Sequence, residues 1–452
     1  MRYETNLEGF FNEELKNYAL YVIKNRACPN IMDGMRIGAR KVIWAAIKTM
    51  KKGEVVKLTS LAGDAVKLDY RHADSALYNT IVQLSSSHLL RYHPIQVTGQ
   101  IAKLHSNDSV PSPRYLSVMK SEYIDLFETD VELLKEQQSE GVTVEPYFLL
   151  PIVPVVLLYR TNNPGFGFSF RSFSYTLDSI IDNCIKSLNT GTCTDEEIML
   201  MPDVATYNPE NFIYNKQREC WYSVATYDLN TDDDTLTITD LPYDVEFTKF
   251  EENLDSLHER GIIQSFSNMS MDGKIKYVIK FQRGRLKTIY TANKYNFFKQ
   301  FNMFSKIKPD CLNVIDTDCN SILTFNNAYE LIDGFVKRRL KYYDLRRSIT
   351  VDDLRLRIRN KTNIKKFIEL VINDKLIINK RPIADIRKDL AKYELPEDVL
   401  KTQISKLTKE EIELLDKEIS DLNKELEYIL GTPAKNMYIQ ELKALKTKYK
   451  NN

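Results

Sequence analysis

From Asn326 to Asp374 the chain carries no proline, and charged residues recur throughout: NNAYELIDGFVKRRLKYYDLRRSITVDDLRLRIRNKTNIKKFIELVIND. Proline inside a helix removes a backbone hydrogen bond and clashes with the preceding turn, so its absence leaves this whole stretch free to be helical. The charge density suits a long exposed helix. Further on, Thr408 and Glu411 form a capping-box pattern. Ile412, Leu415, Ile419, Leu422, Leu426 and Ile429 then recur at alternating steps of three and four, which predicts a coiled-coil seam with charged flanks. The seam is shorter than three heptads, so it does not by itself guarantee oligomerisation. At 452 residues the prior is about three domains. Long arms of this kind occupy the last of them, over 326–452.

The first part, 1–120, reads as short helices separated by turns. KVIWAAIKTM has apolar residues at helical spacing, LTSLAGDAV is a second helix, and DSALYNTIVQLSSSHLL a third, opened by Asp74 as its N-cap. Three short helices with a basic first turn suit a helix-turn-helix or winged-helix unit. The middle part, 121–325, is mixed. VEPYFLLPIVPVVLLY is broken by Pro146, Pro151 and Pro154, which argues against one continuous helix. YDLNTDDDTLTITDLPYDV reads as two strand fragments around an Asp-rich turn, FTKFEENLDSLHERG as an amphipathic helix with a glycine stop, and KIKYVIKF and NVIDTDCNSILTF as strands. The expected class is α+β, mostly helical.

The six cysteines are scattered without a C-x-x-C, which predicts free thiols in a reducing compartment. No apolar run approaches the roughly 20 residues of a membrane span. The first residues, MRYETNLEGFFNEELKNY, lack the apolar core of a signal peptide. A soluble, intracellular, cytoplasmic chain is expected. Net charge is only +1, so any nucleic-acid contact must come from a local patch. One exists: Arg36, Arg40, Lys41, Lys48, Lys51, Lys52 and Lys57 face the single acid Glu54 over 36–57. Taken alone, that cluster is equally a solvated helix face.

Four segments in register resemble one family, the type IIA DNA topoisomerases, in their DNA cleavage and rejoining part. The first is Arg26-Ala-Cys-Pro-Asn-Ile-Met-Asp-Gly-Met-Arg-Ile-Gly-Ala-Arg-Lys-Val. The second is Tyr70-Arg-His-Ala-Asp-Ser-Ala-Leu-Tyr, similar to a family helix start. The third is Pro113-Arg114-Tyr115, preceded by Gly99-Gln100 where the family has a glycine-rich loop. The fourth runs from Glu145-Pro146 through Leu149-Leu150-Pro151 to Pro154. Downstream, Leu241-Pro-Tyr243 is similar to the family's tower segment, and the long helix and seam resemble its coiled-coil arms and C-gate. The outline is that of a separate cleavage subunit, as in gyrase A or the medium subunit of large tailed phages. The resemblance therefore implies a winged-helix domain over 1–120, a mixed α/β tower over 121–325, and coiled-coil arms ending in a helical C-gate.

It also implies chemistry. Bare, an Arg–Tyr pair behind a turn is usually a packing pair, and a phenol that ionises near pH 10 needs help to act as a nucleophile. An adjacent guanidinium supplies that help through charge-assisted hydrogen bonds. Within the register, Tyr115 is implied as the nucleophile that forms a 5′-phosphotyrosine link, with Arg114 beside it. Arg26, Arg36, Arg40, Lys41, Lys57 and His72 match positions that hold the DNA backbone. Pro164, or Phe166 as a second candidate, matches an apolar wedge that kinks the duplex. Four family positions differ: Tyr70-Arg71 replaces a histidine, Ala73 and Ala102 replace glycines, and Ile37 replaces a proline. Asp232-Asp233-Asp234 and Asp316-Thr317-Asp318 lie between strand-like runs and read as turns rather than metal ligands.

Mg²⁺ and ATP are then expected on a separate ATPase and metal-binding partner subunit. Double-stranded DNA is the expected substrate and the C-gate the expected homodimer contact, without a membrane. Relaxation and decatenation are favoured over supercoiling, and the compact, split form implies a viral or phage source with action in host cytoplasm. Two other readings stand beside this one: a non-catalytic winged-helix and coiled-coil DNA-architectural protein, and a coiled-coil scaffold, which would leave the basic cluster unexplained.

Overall fold

The computed structural model describes residues 7–86, 90–99, 112–159, 161–165, 167–194, 197–203, 209–218, 220–243, 245–271, 274–307, 310–378, 381–403 and 406–449. The chain divides into two compact units, one comprising Met1–Arg338 with Lys446–Asn452 and the other Arg339–Leu445.

In the first unit, helical turns run from Leu7 to Ala27, burying only Ile23 and Ala27 at their end. The helices Ile37–Thr49, Leu58–Val66 and Asp74–Ser85 pack on one another. Their apolar stripes close on Val42, Ile43, Ala46, Leu58, Leu61, Leu77 and Ile81, all essentially inaccessible. Beside them, Val56–Lys57, Ser117–Lys120 and Ile95–Thr98 form a three-stranded antiparallel sheet with Ser117–Lys120 in the centre. Helices plus sheet make a winged helix. The second helix matches LTSLAGDAV residue for residue. The third differs from the sequence reading at its start: Ala73 holds the cap position in extended conformation, and Asp74 is the first helical residue. There its carboxylate still faces the positive end of the helix dipole.

The middle of this unit carries more sheets. One has the order Thr226–Asn230, Thr235–Asp240, Tyr277–Lys280, Ser265–Asn268, and its core takes in Leu236, Ile238, Phe250, Leu254, Tyr277, Phe297 and Phe301. The helix Phe247–Glu259 stops before Gly261, whose φ of 66° is left-handed. Another sheet orders Ile322–Phe325, Cys311–Ile315, Phe170–Ser172 and Thr161–Asn163. Both Asp-rich stretches are turns. Asp234 has φ 50° and accepts the Gly284 N–H at 2.6 Å, while Asp318 accepts the Asn320 and Ser321 N–H groups at 2.9 and 2.8 Å.

The proline-free stretch is the helix Ala328–Ile372, of 45 residues. At a rise of 1.5 Å per residue it is about 68 Å long. In the second unit its Arg339–Ile372 portion pairs with the helix Lys409–Gly431, capped as expected by the Thr408 hydroxyl, which accepts the Glu411 N–H at 3.2 Å. The seam closes within the chain, antiparallel: Leu422 and Ile429 pack with Val351 and Leu354, and Leu415 with Phe367 and Ile368. Each such burial is worth roughly 1.5–3 kcal/mol. The charged flanks register the pair, Lys361 on Glu418 at 2.7 Å and Arg347 Nε on the Ile429 carbonyl at 3.1 Å. Further along, Tyr343 stacks on Tyr438 at 4.4 Å and donates to Glu441 at 2.6 Å.

Candidate active site

Tyr115 closes a single 3-10 turn, Pro113–Tyr115, which proline starts without losing a bond because its nitrogen would be unpaired there anyway. The Tyr115 N–H donates to the Ser112 carbonyl at 2.9 Å, and the Leu116 N–H to that of Pro113 at 3.2 Å. The next residue is a nail. Leu116 is fully buried, its carbonyl accepts the Leu58 N–H at 3.1 Å, and the central strand begins at Ser117. Gly99 closes the seat from the other side, with a φ of 132°. A Cβ there would lie 2.8 Å from Leu116 Cδ2. A phenol buried in the core could not reach DNA, whereas Tyr115 is 70% exposed on this anchored turn. Arg114 is exposed beside it, and among the described residues no hydrogen bond or ion pair holds either side chain. Lys57 joins them: it pairs with Ser117 across the sheet, stands at the N-cap position of the helix Leu58–Val66, and is exposed, with no ion pair among the described residues.

A cavity of about 910 Å³ gathers five of the other expected residues, Arg26, Arg36, Arg40, Lys41 and His72. Arg26 and Arg36 are exposed and have no carboxylate partner among the described residues; Arg36 Nη1 reaches only the Arg26 carbonyl, at 3.5 Å. His72 is exposed, with its Nε2 at 3.4 Å from the Tyr21 hydroxyl and its ring edge-on to Tyr70 at 5.4 Å. Burial raises the Tyr70 phenol above its ordinary value, against the opposing charges of Arg26 and Arg36. Arg71 is engaged with Asp69 at 2.9 and 3.0 Å and with Glu140 at 2.7 Å. That guanidinium, with the Ser139 hydroxyl, holds the Asp69 carboxyl down at about 2.

Two of the five are set differently from the rest. Arg40 and Lys41 are buried, at 5% and 6% exposure, and each is paired with a buried carboxylate. Arg40 grips the fully buried Asp33 through Nε at 2.6 Å and Nη2 at 3.0 Å. Asp33 also accepts the N–H groups of Met35 at 2.9 Å and Leu149 at 3.0 Å. Burial lowers the Arg40 pKa, yet the charge and hydrogen bonds of Asp33 outweigh it, so the guanidinium is raised overall. Lys41 Nζ donates to Glu145 at 2.7 Å and to the Leu68 carbonyl. A charge taken from water persists only when paired and hydrogen-bonded, and these are. The first and fourth sequence segments are thus bolted together. Gly34 completes the joint: its φ is +66°, and a Cβ there would sit 2.6 Å from the Val156 nitrogen.

Pro164 is exposed just after the strand Thr161–Asn163, and Phe166 lies outside the described residues, as do Gln100 and Ala102. Gly165 packs this hairpin so closely on Ala27 that an added Cβ would meet the alanine methyl at 2.7 Å. Phe168, 39% exposed on the same hairpin, is an apolar side chain that sequence reading passed over. Asp33, Glu145 and Tyr21 were likewise not singled out, although the first two stand inside the quoted segments. Among the described residues no group of three or more His, Cys, Asp or Glu side chains could hold a metal ion, and no helix is long and apolar enough to cross a membrane.

Known proteins carry the same architecture. A solved structure described as the Plasmodium falciparum topoisomerase II DNA-binding, cleavage and re-ligation domain superposes with a TM-score of 0.79 at 22% identity, covering 98% of this chain and 65% of that one. In sequence, the chain is 25% identical to the mitochondrial DNA topoisomerase 2 of Dictyostelium discoideum and 26% identical to DNA topoisomerase 2 of Plasmodium falciparum. Each comparison covers 98% of this chain, against 35% and 32% of those proteins, so the chain spans about a third of the length of the curated relatives it matches. The family model for the A-type subunits of DNA gyrase/topoisomerase IV matches residues 26–443. The chain belongs to that DNA gyrase/topoisomerase IV family.

Proposed function

We propose that this chain is the DNA breakage and rejoining part of an ATP-dependent type IIA topoisomerase, with Tyr115 as the nucleophile. The observation that supports this best is the exposure of Tyr115 on a turn whose neighbours are fixed, next to the exposed guanidinium of Arg114. The Tyr115 oxygen attacks a DNA phosphorus. A P–O bond to the phenol forms as the P–O3′ bond breaks, the phenolic proton is lost, and the departing 3′ oxygen gains one. One phosphodiester replaces another, so the reverse reaction rejoins the strand without an energy source. Arg114 neutralises the charge that grows on the phosphorane oxygens. Lys57, Arg26, Arg36 and His72 hold phosphates on either side without reading sequence. Pro164 or Phe166 serves as the wedge, and Phe168 of the same hairpin is a third candidate.

The carboxylates around the cavity do not suit a metal site. Asp33, Glu145 and Asp69 are held by Arg40, Lys41 and Arg71. We assign the Mg²⁺ ligands and ATP hydrolysis to a separate partner subunit. Two copies joined through a C-gate in 326–452 place two Tyr115 residues on opposite strands, and a second duplex passes through the break. The parts 1–120 and 121–325 act as the winged-helix and tower domains. The work is intracellular, with relaxation and decatenation as its outcome.

The test combines the chain with its partner subunit, Mg²⁺ and supercoiled plasmid, followed by detergent trapping. Protein-linked linear DNA is expected from the wild type and none from Tyr115→Phe. Equal linked DNA from both would remove Tyr115 from the chemistry, and DNA binding without any linkage would favour an architectural protein.

A further inference from the structure

Tyr21 makes two contacts at the mouth of the cavity that its sequence position does not announce. Its hydroxyl lies 3.4 Å from His72 Nε2 and the Arg26 guanidinium sits over its ring at 5.6 Å, while Tyr70 meets the same histidine edge-on at 5.4 Å. Tyr21 lies on the helix Lys16–Val22, which buries none of its residues, so packing does not explain a large aromatic at 41% exposure there. Arg26 is one turn further along the helical stretch, and His72 arrives from the loop before the helix Asp74–Ser85. Two DNA-facing groups from separate segments thus share one side chain.

We infer that Tyr21 is a positioning residue for DNA binding, its hydroxyl orienting His72 and its ring supporting Arg26. A phenol O–H donating to Nε2 leaves the histidine proton on Nδ1, the ring nitrogen that makes no hydrogen bond among the described residues, and that N–H becomes the donor toward a phosphate oxygen. The ring face attracts the guanidinium and restrains it beside the histidine. The inference rests on the proposed DNA contact of His72 and Arg26.

Two measurements on the full chain test it. The first is the affinity for a fluorescein-labelled duplex as a function of salt. Tyr21→Phe keeps the ring and loses the hydroxyl, so affinity falls about three- to tenfold, the range of one net hydrogen bond, with an unchanged salt slope. Tyr21→Ala also loses the platform, weakens binding about two- to fivefold further, and flattens the slope by about 0.9 as one phosphate contact is lost. Tyr21→Phe added to His72→Ala produces no further loss. The second reads the histidine ring nitrogens by ¹⁵N NMR, with His72 assigned by its absence in His72→Ala. The wild type has the proton on Nδ1, and Tyr21→Phe releases that preference. Wild-type affinity and unmoved His72 shifts in Tyr21→Phe overturn the inference, as does a loss that adds fully to that of His72→Ala. If His72→Ala itself binds like the wild type, the DNA contact of His72 is what fails, and the inference fails with it.

Discussion

Arg40 and Asp33 form a two-pronged ion pair in which neither side chain is more than 6% exposed, and the same carboxylate receives the backbone N–H of Leu149. This one contact joins the helix Ile37–Thr49 to the Asp-Gly turn before it and to a segment more than a hundred residues away. Arg40→Met leaves Asp33 buried and uncompensated, which costs about 3–5 kcal/mol. Urea unfolding checks it. A wild-type midpoint combined with lost DNA binding would return Arg40 to the DNA face.

Lys41 and Glu145 behave as a unit, 7% and 3% exposed at 2.7 Å. Lys41→Met alone destabilises through the orphaned Glu145. The double variant Lys41→Met with Glu145→Leu recovers much of that loss, because replacing both partners with apolar groups removes the desolvation cost. A double-mutant cycle measures the coupling. Strictly additive losses would mean the two charges do not depend on each other.

Gly99 tests how far the seat of Tyr115 matters. Gly99→Ala must push on Leu116, which lies 2.8 Å from the new methyl. The expected destabilisation is about 1–3 kcal/mol. Strand cleavage falls more, on the order of a hundredfold, because a shift of about 1 Å in the adjacent phenol is enough to spoil its alignment for attack. Cleavage and unfolding midpoints measured on the same preparation separate the two effects. Unchanged cleavage with a shifted midpoint would show that the turn does not need Leu116 in place.

Cys28 supplies a pH test. Burial, helped by Cys311, pushes its thiol from 9.0 up to about 11. A raised value favours the protonated folded form, so this contribution to stability is complete below pH 9 and is lost as pH climbs through about 11. The thiolate is the reactive species, so Cys28 resists iodoacetamide at pH 8 in the folded protein and reacts once the chain is unfolded. Peptide mass spectrometry reads both. Rapid alkylation of folded protein at pH 8 would contradict the burial.

Much of this was legible in the chain, for local reasons. The helix Leu58–Val66 follows from its own spacing, the helix Ala328–Ile372 from the missing prolines, and the Thr408 cap from a single side chain. Pro113 sets the turn that carries Tyr115, but the residue itself was singled out only by the resemblance of four segments in register, since a bare Arg–Tyr pair behind a turn reads as packing. The ion pairs of Arg40 and Lys41 were not legible, because a basic cluster in sequence says nothing about which members meet a carboxylate. Glu145, which decides the fate of Lys41, is 104 positions away. Asp33 was in plain view, but its burial depends on Leu149 closing over it. The contact between Tyr21 and His72, separated by 51 positions, exists only once two helices have been placed.

The central claim is that one particular phenol takes the DNA phosphate. Detergent-trapped complexes digested with nuclease and protease, then sequenced by tandem mass spectrometry, identify the residue that keeps a nucleotide. The nucleotide is expected on Tyr115 through its phenolic oxygen. A nucleotide on any other tyrosine, or on none in complexes that hold DNA, would contradict the account.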